Sequence, residues 1–246
     1  MRVKNRLLNF GNNVIYQDED YFAFSIDSVL LANFVTIRYS DKRIMDFCSG
    51  NAPIPMLLTF RTKAKIFGIE LQKDVFDLGS LSIKENKMDD RINFICDNVL
   101  NSDFLFESEY FDIITCNPPY FKYNDSSYVN NNMVKTIARH EIELKLEDVI
   151  AKASYLLKNH GIFAMVHRPD RLIDIILLFK KYNIEPKRVR FAYSKKNGNS
   201  NILLIEGMKN GSSGLKVLSP LYIHNDDGSY CDEIRKMFGS DDNVAN

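Results

Sequence analysis

Arg43-Ile44-Met45-Asp46-Phe47-Cys48-Ser49-Gly50-Asn51-Ala52-Pro53 opens as an apolar run, closes near a carboxylate, turns through a glycine and meets a proline. A run of this length, bounded by turn residues, reads as a buried strand over 43–47. Pro53 and Pro55 suit the first turn of a helix, predicted over 53–60, because the amides missing there have no intrahelical partner in any case. The glycine-bearing turn between them lets backbone approach a ligand, and an acid at its start can accept hydrogen bonds.

The same unit repeats outward. Strands are predicted at 65–69, 92–96, 111–116 and 161–167. The intervening segment 71–86 carries Val75, Leu78, Leu81 and Ile83 close to a helical stripe. A second amphipathic helix spans 146–157, with Lys158-Asn-His-Gly161 as its C-cap, and a third spans 171–182. Segments 189–193 and 201–206 flank Lys195-Lys-Asn-Gly-Asn199, whose Asn-Gly is a hairpin signal. Strands alternating with helices predict an α/β fold: a mostly parallel, seven-stranded sheet, helices on both faces and a C-terminal antiparallel hairpin. No repeat, low-complexity tract or linker interrupts the chain. It reads as a single domain over 1–246, with a lead at 1–40, a core at 41–207 and a tail at 208–246 that packs on or extends the core.

Composition excludes several classes. No apolar segment follows the charged Met1-Arg-Val-Lys-Asn-Arg6, and none is long enough to span a membrane, so the expectation is a cytoplasmic protein without a membrane partner. Cys48, Cys96, Cys116 and Cys231 show neither a CxxC pair nor metal-ligand spacing, which predicts reduced thiols and no metal. The formal net charge is zero, yet Lys187, Arg188, Arg190, Lys195 and Lys196 lie together without an acid, and Arg2, Lys4 and Arg6 form a smaller cluster. Such patches either bind a polyanion or form an ordinary solvated face.

The strand ends carry the chemistry. Glu70 ends the second strand, 24 positions beyond Asp46, where nucleotide-binding α/β folds place the acid that takes ribose hydroxyls. The third strand ends in Asp97-Asn98, able to take an adenine amine. The fourth ends in Asn117-Pro118-Pro119-Tyr120, where two prolines force the chain out of the sheet and hold a carboxamide beside an aromatic ring. Each acid alone is more simply a helix cap, and the prolines alone a turn; four such ends in succession point to a ligand edge.

This series resembles the class I S-adenosylmethionine-dependent methyltransferases, and Asn-Pro-Pro-Tyr resembles the motif of those that methylate a planar amino nitrogen. The resemblance implies S-adenosyl-L-methionine as cofactor, with Asp46, Ser49 and Gly50 along its methionine part, Glu70 at the ribose and Asp97 at the adenine; Cys48, Leu71, Asn98 and Asn117 also fall among the cofactor-binding residues. Phe24-Ser-Ile-Asp-Ser-Val-Leu-Leu31 resembles the loop and helix that close over the cofactor, which implicates Asp27. Ala138-Arg-His-Glu-Ile142, Val166-His-Arg-Pro-Asp-Arg171 and Glu185-Pro-Lys-Arg-Val-Arg190 are similar to the bacterial tRNA1(Val) adenine-N6-methyltransferases, which modify the adenine next to the anticodon. The partner implied is the anticodon stem-loop of a tRNA, methylated at adenine 37 by a monomeric enzyme.

In this reading Asn117, Pro118, Pro119 and Tyr120 are catalytic. Tyr120, Phe121, Arg139, His140, Lys187, Arg188, Arg190, Lys195 and Lys196 face the RNA, and Lys122 to Asn132, with Tyr123 and Tyr128, forms a loop that orders on RNA binding. His160 belongs to the predicted C-cap and His167 packs at a strand end. Cys48 and Ala52 stand where the family carries glycine; both are small enough for the turn provided neither position needs a positive φ. Other acceptors remain open: protein glutamine N5, rRNA guanine N2 or DNA adenine. So does a non-catalytic RNA- or nucleotide-binding module.

Overall fold

A computed structural model describes residues 2–18, 24–118 and 144–239. Two strands and a helix precede the alternating region: β1 (Arg2–Arg6), β2 (Val14–Asp18) and α1 (Ile26–Phe34). Then follow β3 (Arg43–Phe47), α2 (Pro53–Thr59), β4 (Lys65–Glu70), α3 (Lys73–Glu85), β5 (Ile92–Cys96), the short α4 (Ser102–Leu105) and β6 (Phe111–Cys116). The second half comprises α5 (Leu146–Leu156), β7 (Leu157–His167), α6 (Leu172–Lys181), β8 (Ile184–Tyr193), β9 (Ser200–Lys209), β10 (Lys216–Val217), β11 (Leu221–Tyr222) and α7 (Asp232–Met237).

The main sheet runs β10-β8-β9-β7-β6-β3-β4-β5, with β11 also on β8. Strands β3 to β7 pair in parallel, whereas β9 lies antiparallel between β7 and β8. The expected seven strands and terminal hairpin are present, and two-residue strands from the tail bring the sheet to nine. Alternating side chains separate two apolar cores. Ile44, Ile66 and Ile113 face one that also takes in α1 and α2, while Met45, Phe47 and Ile114 face another with α5 and α6.

The C-cap expected at Lys158-Asn-His-Gly161 is corrected. Helix α5 stops at Leu156, Leu157 is already extended and pairs with Phe111, and 158–161 form an irregular stretch of β7. Burial of Leu157 in the sheet outweighs the local glycine signal. Gly161 instead permits a close crossing, since a Cβ there would lie 2.9 Å from the Leu157 side chain.

The β1–β2 hairpin was not legible beforehand because its partner is a helix. Asn86 accepts from the Val14 amide at 2.8 Å and donates to the Val14 carbonyl at 2.7 Å. Ser82 accepts from the Tyr16 amide at 2.9 Å, and Asn51 donates to the Tyr16 carbonyl at 2.8 Å. Side chains thus stand in for a neighbouring strand. The tail closes over the same core through Leu221, Ile223 and Ile234, which join Leu7 there. Replacing Asn86 with Ala should lower stability by about 2 kcal/mol, because it strips partners from two backbone groups. Hydrogen exchange should accelerate across 14–18 first; unchanged exchange there would show that the hairpin is held by other contacts.

Candidate functional site

The strand order reverses between β3 and β6, so their carboxyl ends diverge into a crevice where open α/β sheets bind ligands. Along that edge stand Asp97 after β5, Glu70 closing β4, the Cys48–Ala52 turn after β3, Asn117 after β6 and Arg168 after β7. The β8–β9 turn, with Lys195 and Lys196, sits on the same edge because β8 runs parallel to β7.

The turn after β3 is tightly wound. Cys48, Gly50 and Ala52 all have positive φ, at 55°, 56° and 66°. The condition attached to the two substituted positions is therefore not met: both need a positive φ, at roughly 1–2 kcal/mol for each non-glycine residue. Glu70, itself buried, holds the turn. One carboxylate oxygen accepts from the Gly50 amide at 2.8 Å and the other from the Gln72 amide at 2.8 Å. The Ser49 amide extends the β3–β4 ladder to the Ile69 carbonyl at 3.0 Å.

Asp46 is fully buried and paired in register with Thr115, whose hydroxyl donates to Oδ1 at 2.6 Å. Its Oδ2 is buried without a hydrogen-bond partner. Burial, with the nearby Glu70 charge, raises this carboxyl to about 7, against the opposing hydrogen bonds from Thr115 and Ser49. A buried, orphaned carboxylate oxygen calls for a cation or an N–H donor, which a ligand with an ammonium group can supply. Thr115 is a site residue that sequence reasoning missed; its signal was a lone hydroxyl in an apolar strand.

Asn117 stands at the end of β6, and its carboxamide nitrogen donates to the Ser28 hydroxyl at 3.4 Å. Ser28 is buried in the first turn of α1, beside Asp27. It too was missed, since nothing local links positions 89 apart in the chain. Pro118 is buried next to Asn117. Pro119, Tyr120, Phe121, Arg139, His140 and the loop at 122–132 lie outside the described residues.

Asp97 takes the Asn98 amide at 2.6 Å and the Asn101 carboxamide at 2.8 Å. Asn98 accepts from the Leu100 amide at 2.9 Å, so its side-chain oxygen caps the turn that leads into α4. Leu71 is partly exposed at the end of β4.

The five-residue basic run does not form one patch. Arg188 turns inward to the buried Glu206 at 3.0 Å, to the Thr36 hydroxyl and over the Phe34 ring. Arg190 forks onto Glu233 at 2.6 and 2.9 Å, and Lys187 donates to the Ser212 carbonyl at 2.9 Å. Lys195 and Lys196 are exposed in the β8–β9 turn. At the edge of β7, buried His167 accepts the Arg168 amide on Nδ1 at 2.8 Å; burial, then the neighbouring Arg171 charge, lowers its pKa to about 4. His160 lies in the irregular part of β7, where its carbonyl accepts from Arg38 at 3.1 Å.

Among the described residues no cluster of His, Cys, Asp and Glu could hold a metal, and no helix is long and apolar enough to cross a membrane. No family model matches the chain. It is 25% identical over 218 residues to the tRNA1(Val) (adenine(37)-N6)-methyltransferase of Flavobacterium psychrophilum, covering 81% of this chain and 91% of that protein. It is 32% identical over 151 residues to the enzyme of the same name from Porphyromonas gingivalis, covering 60% of this chain and 58% of that one. Among solved structures, a predicted O-methyltransferase of Agrobacterium tumefaciens superposes with a TM-score of 0.69 at 18% identity, over 89% of this chain and 97% of that one. Geranyl diphosphate C-methyltransferase of Streptomyces coelicolor, solved with S-adenosyl-L-homocysteine, superposes with a TM-score of 0.54 at 12% identity, over 75% and 77%. The fold is that of the class I methyltransferases.

Two measurements probe the turn and its acid. A Cβ on Gly50 would meet nothing within 4 Å, so Gly50→Ala isolates the backbone cost; we expect a loss of about 1 kcal/mol in chemical denaturation. The folded state holds the Asp46 proton more tightly than the unfolded chain, so this carboxyl should make stability fall as pH rises from about 4 to about 7. The drop is roughly 4 kcal/mol at most. Asp46→Asn should flatten that slope, and an unaltered slope would place the titration elsewhere.

Proposed function

We propose that this protein is an S-adenosylmethionine-dependent methyltransferase that acts on N6 of an adenine in tRNA, at position 37 of tRNA1(Val). The observation that carries this reading is the shared edge: a buried acid with one unpartnered oxygen and a ribose-type acid stand on one side of the switch point and Asn117-Pro118 on the other. The likeness to the Flavobacterium and Porphyromonas enzymes selects tRNA among the planar amines that such an edge can serve.

The cofactor supplies a sulfonium methyl, already a strong electrophile, so the chain's task is alignment. Asp46, with Cys48, Ser49 and Gly50, holds the methionine end, and the Asp46 Oδ2 takes up its ammonium. Glu70 and Leu71 take the ribose, since each oxygen of a carboxylate can accept one hydroxyl proton of a diol. Asp97 and Asn98 border the adenine, and Asp27 covers the site from α1. The Asn117 oxygen and the Pro118 carbonyl accept the two hydrogens of the target amine, which concentrates its lone pair on nitrogen. Ser28 fixes which end of the carboxamide faces the amine by engaging the nitrogen.

Pro119 stiffens the motif, and Tyr120 stacks on the base, worth about 1–3 kcal/mol. Phe121, Arg139 and His140 are assigned to the substrate side on sequence likeness. Drawing a base from a stack costs a few kcal/mol, less in an unstacked loop, which favours the anticodon loop. Lys195 and Lys196 contact its phosphates, and the chain acts as a cytoplasmic monomer, folded as one domain.

Methyl transfer to unmodified tRNA transcripts, followed by mapping of the product, tests this reading. Label on N6 of adenine 37 is the expected result, and label on a protein or on guanine would overturn it. Asn117→Ala should reduce turnover at least about 10³-fold while cofactor affinity stays close to that of the parent. Ser28→Ala should lower kcat by about tenfold with little change in cofactor binding, and Ser28→Thr should restore part of it. Loss of cofactor affinity in step with turnover would contradict these roles.

A further inference from the structure

Two of the four thiols meet at the reaction edge. Phe47 and Cys116 are register partners on β3 and β6, so Cys48 leaves the sheet next to Cys116. Their side chains belong to one apolar cluster, Cys116 buried within it and Cys48 packed against it. Cys116 is fully buried, immediately before Asn117; Cys48 is half-buried, immediately before Ser49 and Gly50. We propose that Cys48 and Cys116 are an oxidation site: a dithiol that peroxide closes into an intramolecular disulfide, tying the turn after β3 to the strand end that presents Asn117. The bond forms whatever the protein does; its effect on activity rests on the function proposed above.

The two sulfurs have distinct parts. Cys48 is the one peroxide can reach. Its sulfur attacks a peroxide oxygen, the O–O bond breaks, one water leaves and Cys48 becomes a sulfenic acid. The Cys116 sulfur then displaces that hydroxyl: the S–S bond forms, the S–O bond breaks, and a second water carries off the Cys116 proton. Two thiols are oxidised and one peroxide is reduced to two waters. Burial, reinforced by the neighbouring Cys48 thiol, keeps Cys116 protonated. It is therefore inert to outside oxidants and reacts only through the enforced proximity of Cys48.

The functional consequence follows from length. A disulfide is about 2.05 Å long, well inside the contact distance of two non-bonded sulfurs, so closure draws them together by roughly 1 Å or more. Both chain segments that must stay aligned for methyl transfer, Ser49-Gly50 and Asn117-Pro118, begin at these cysteines. Misplacement by about 1 Å is worth on the order of 10²-fold in rate.

The test exposes the reduced full-length chain to hydrogen peroxide, then alkylates, digests and weighs the fragments. The expected result is loss of two hydrogens, a cross-link between the fragments holding Cys48 and Cys116, and a fall of at least about tenfold in tRNA methylation that dithiothreitol reverses. Cys48→Gly, which suits the positive φ there, and Cys116→Ala should each form no such cross-link. Each should also keep the same activity before and after peroxide, judged against its own reduced form. Sulfinic acid on Cys48 without a cross-link, pairing with Cys96 or Cys231 instead, or equal peroxide sensitivity in Cys48→Gly would each overturn the proposal. A correct cross-link in a chain that methylates no tRNA would uphold the site and remove the functional reading instead.

Discussion

Glu70 is the constraint from which the carboxyl edge of the sheet is built. Its two oxygens hold the Gly50 and Gln72 amides, so one buried carboxylate both closes β4 and pins the turn after β3. Hydrogen bonds to a charged acceptor contribute about 1.5–3 kcal/mol each. The left-handed conformations of Cys48 and Ala52 cost roughly 1–2 kcal/mol apiece. Only the Gly50 bond reaches the turn; it offsets a large part of that cost, so an acid on the next strand helps hold the turn's shape without glycine at those positions. Thr115 repeats the principle one strand over, fixing Asp46 from β6.

What could be read in advance follows from how local each cause is. The strands at 43–47, 92–96 and 111–116 are short apolar runs bounded by breakers, and they form with those bounds. Acids at their ends were visible because a strand's carboxyl end is marked by where its apolar run stops. Causes distant in sequence were not visible. Ser82 sits on α3 and Asn86 caps its end, yet both complete β2, and no periodicity announces that. Lys158-Asn-His-Gly161 carries a helix-stop signature that Leu157 overrides by pairing with Phe111. The positive φ at Cys48 and Ala52 belongs to a turn that Glu70 holds from the next strand, so residue type alone left it as an open condition.

Charge shows the same division with a consequence for recognition. A run of five basic residues looks like a polyanion site until their partners are known. Glu206 is buried, and a buried carboxylate must be compensated; Arg188 does so while stacking on Phe34. Arg190 serves the tail through Glu233, and Lys187 serves it through Ser212. These cations stitch α1, β8 and the tail together.

The carboxyl edge is consequently polarised. Asp97, Glu70 and Asp46 occupy the β5-β4-β3 half, which suits a cationic cofactor with hydroxyls and an amine to satisfy. Arg168, Lys195 and Lys196 occupy the β7-β9-β8 half, and Asn117 stands between the two. Three cations are few for an RNA ligand, because each neutralised phosphate contributes only one step of counterion release. In a chain of zero net charge, long-range attraction cannot supply the selectivity. On the function proposed above it has to come from short-range contacts at the target amine: the carboxamide oxygen of Asn117, oriented by Ser28, and the adjoining carbonyl of Pro118. Such contacts reject an acceptor that lacks the matching hydrogens by leaving buried polar groups unpaired, which discriminates far more sharply than surface charge does.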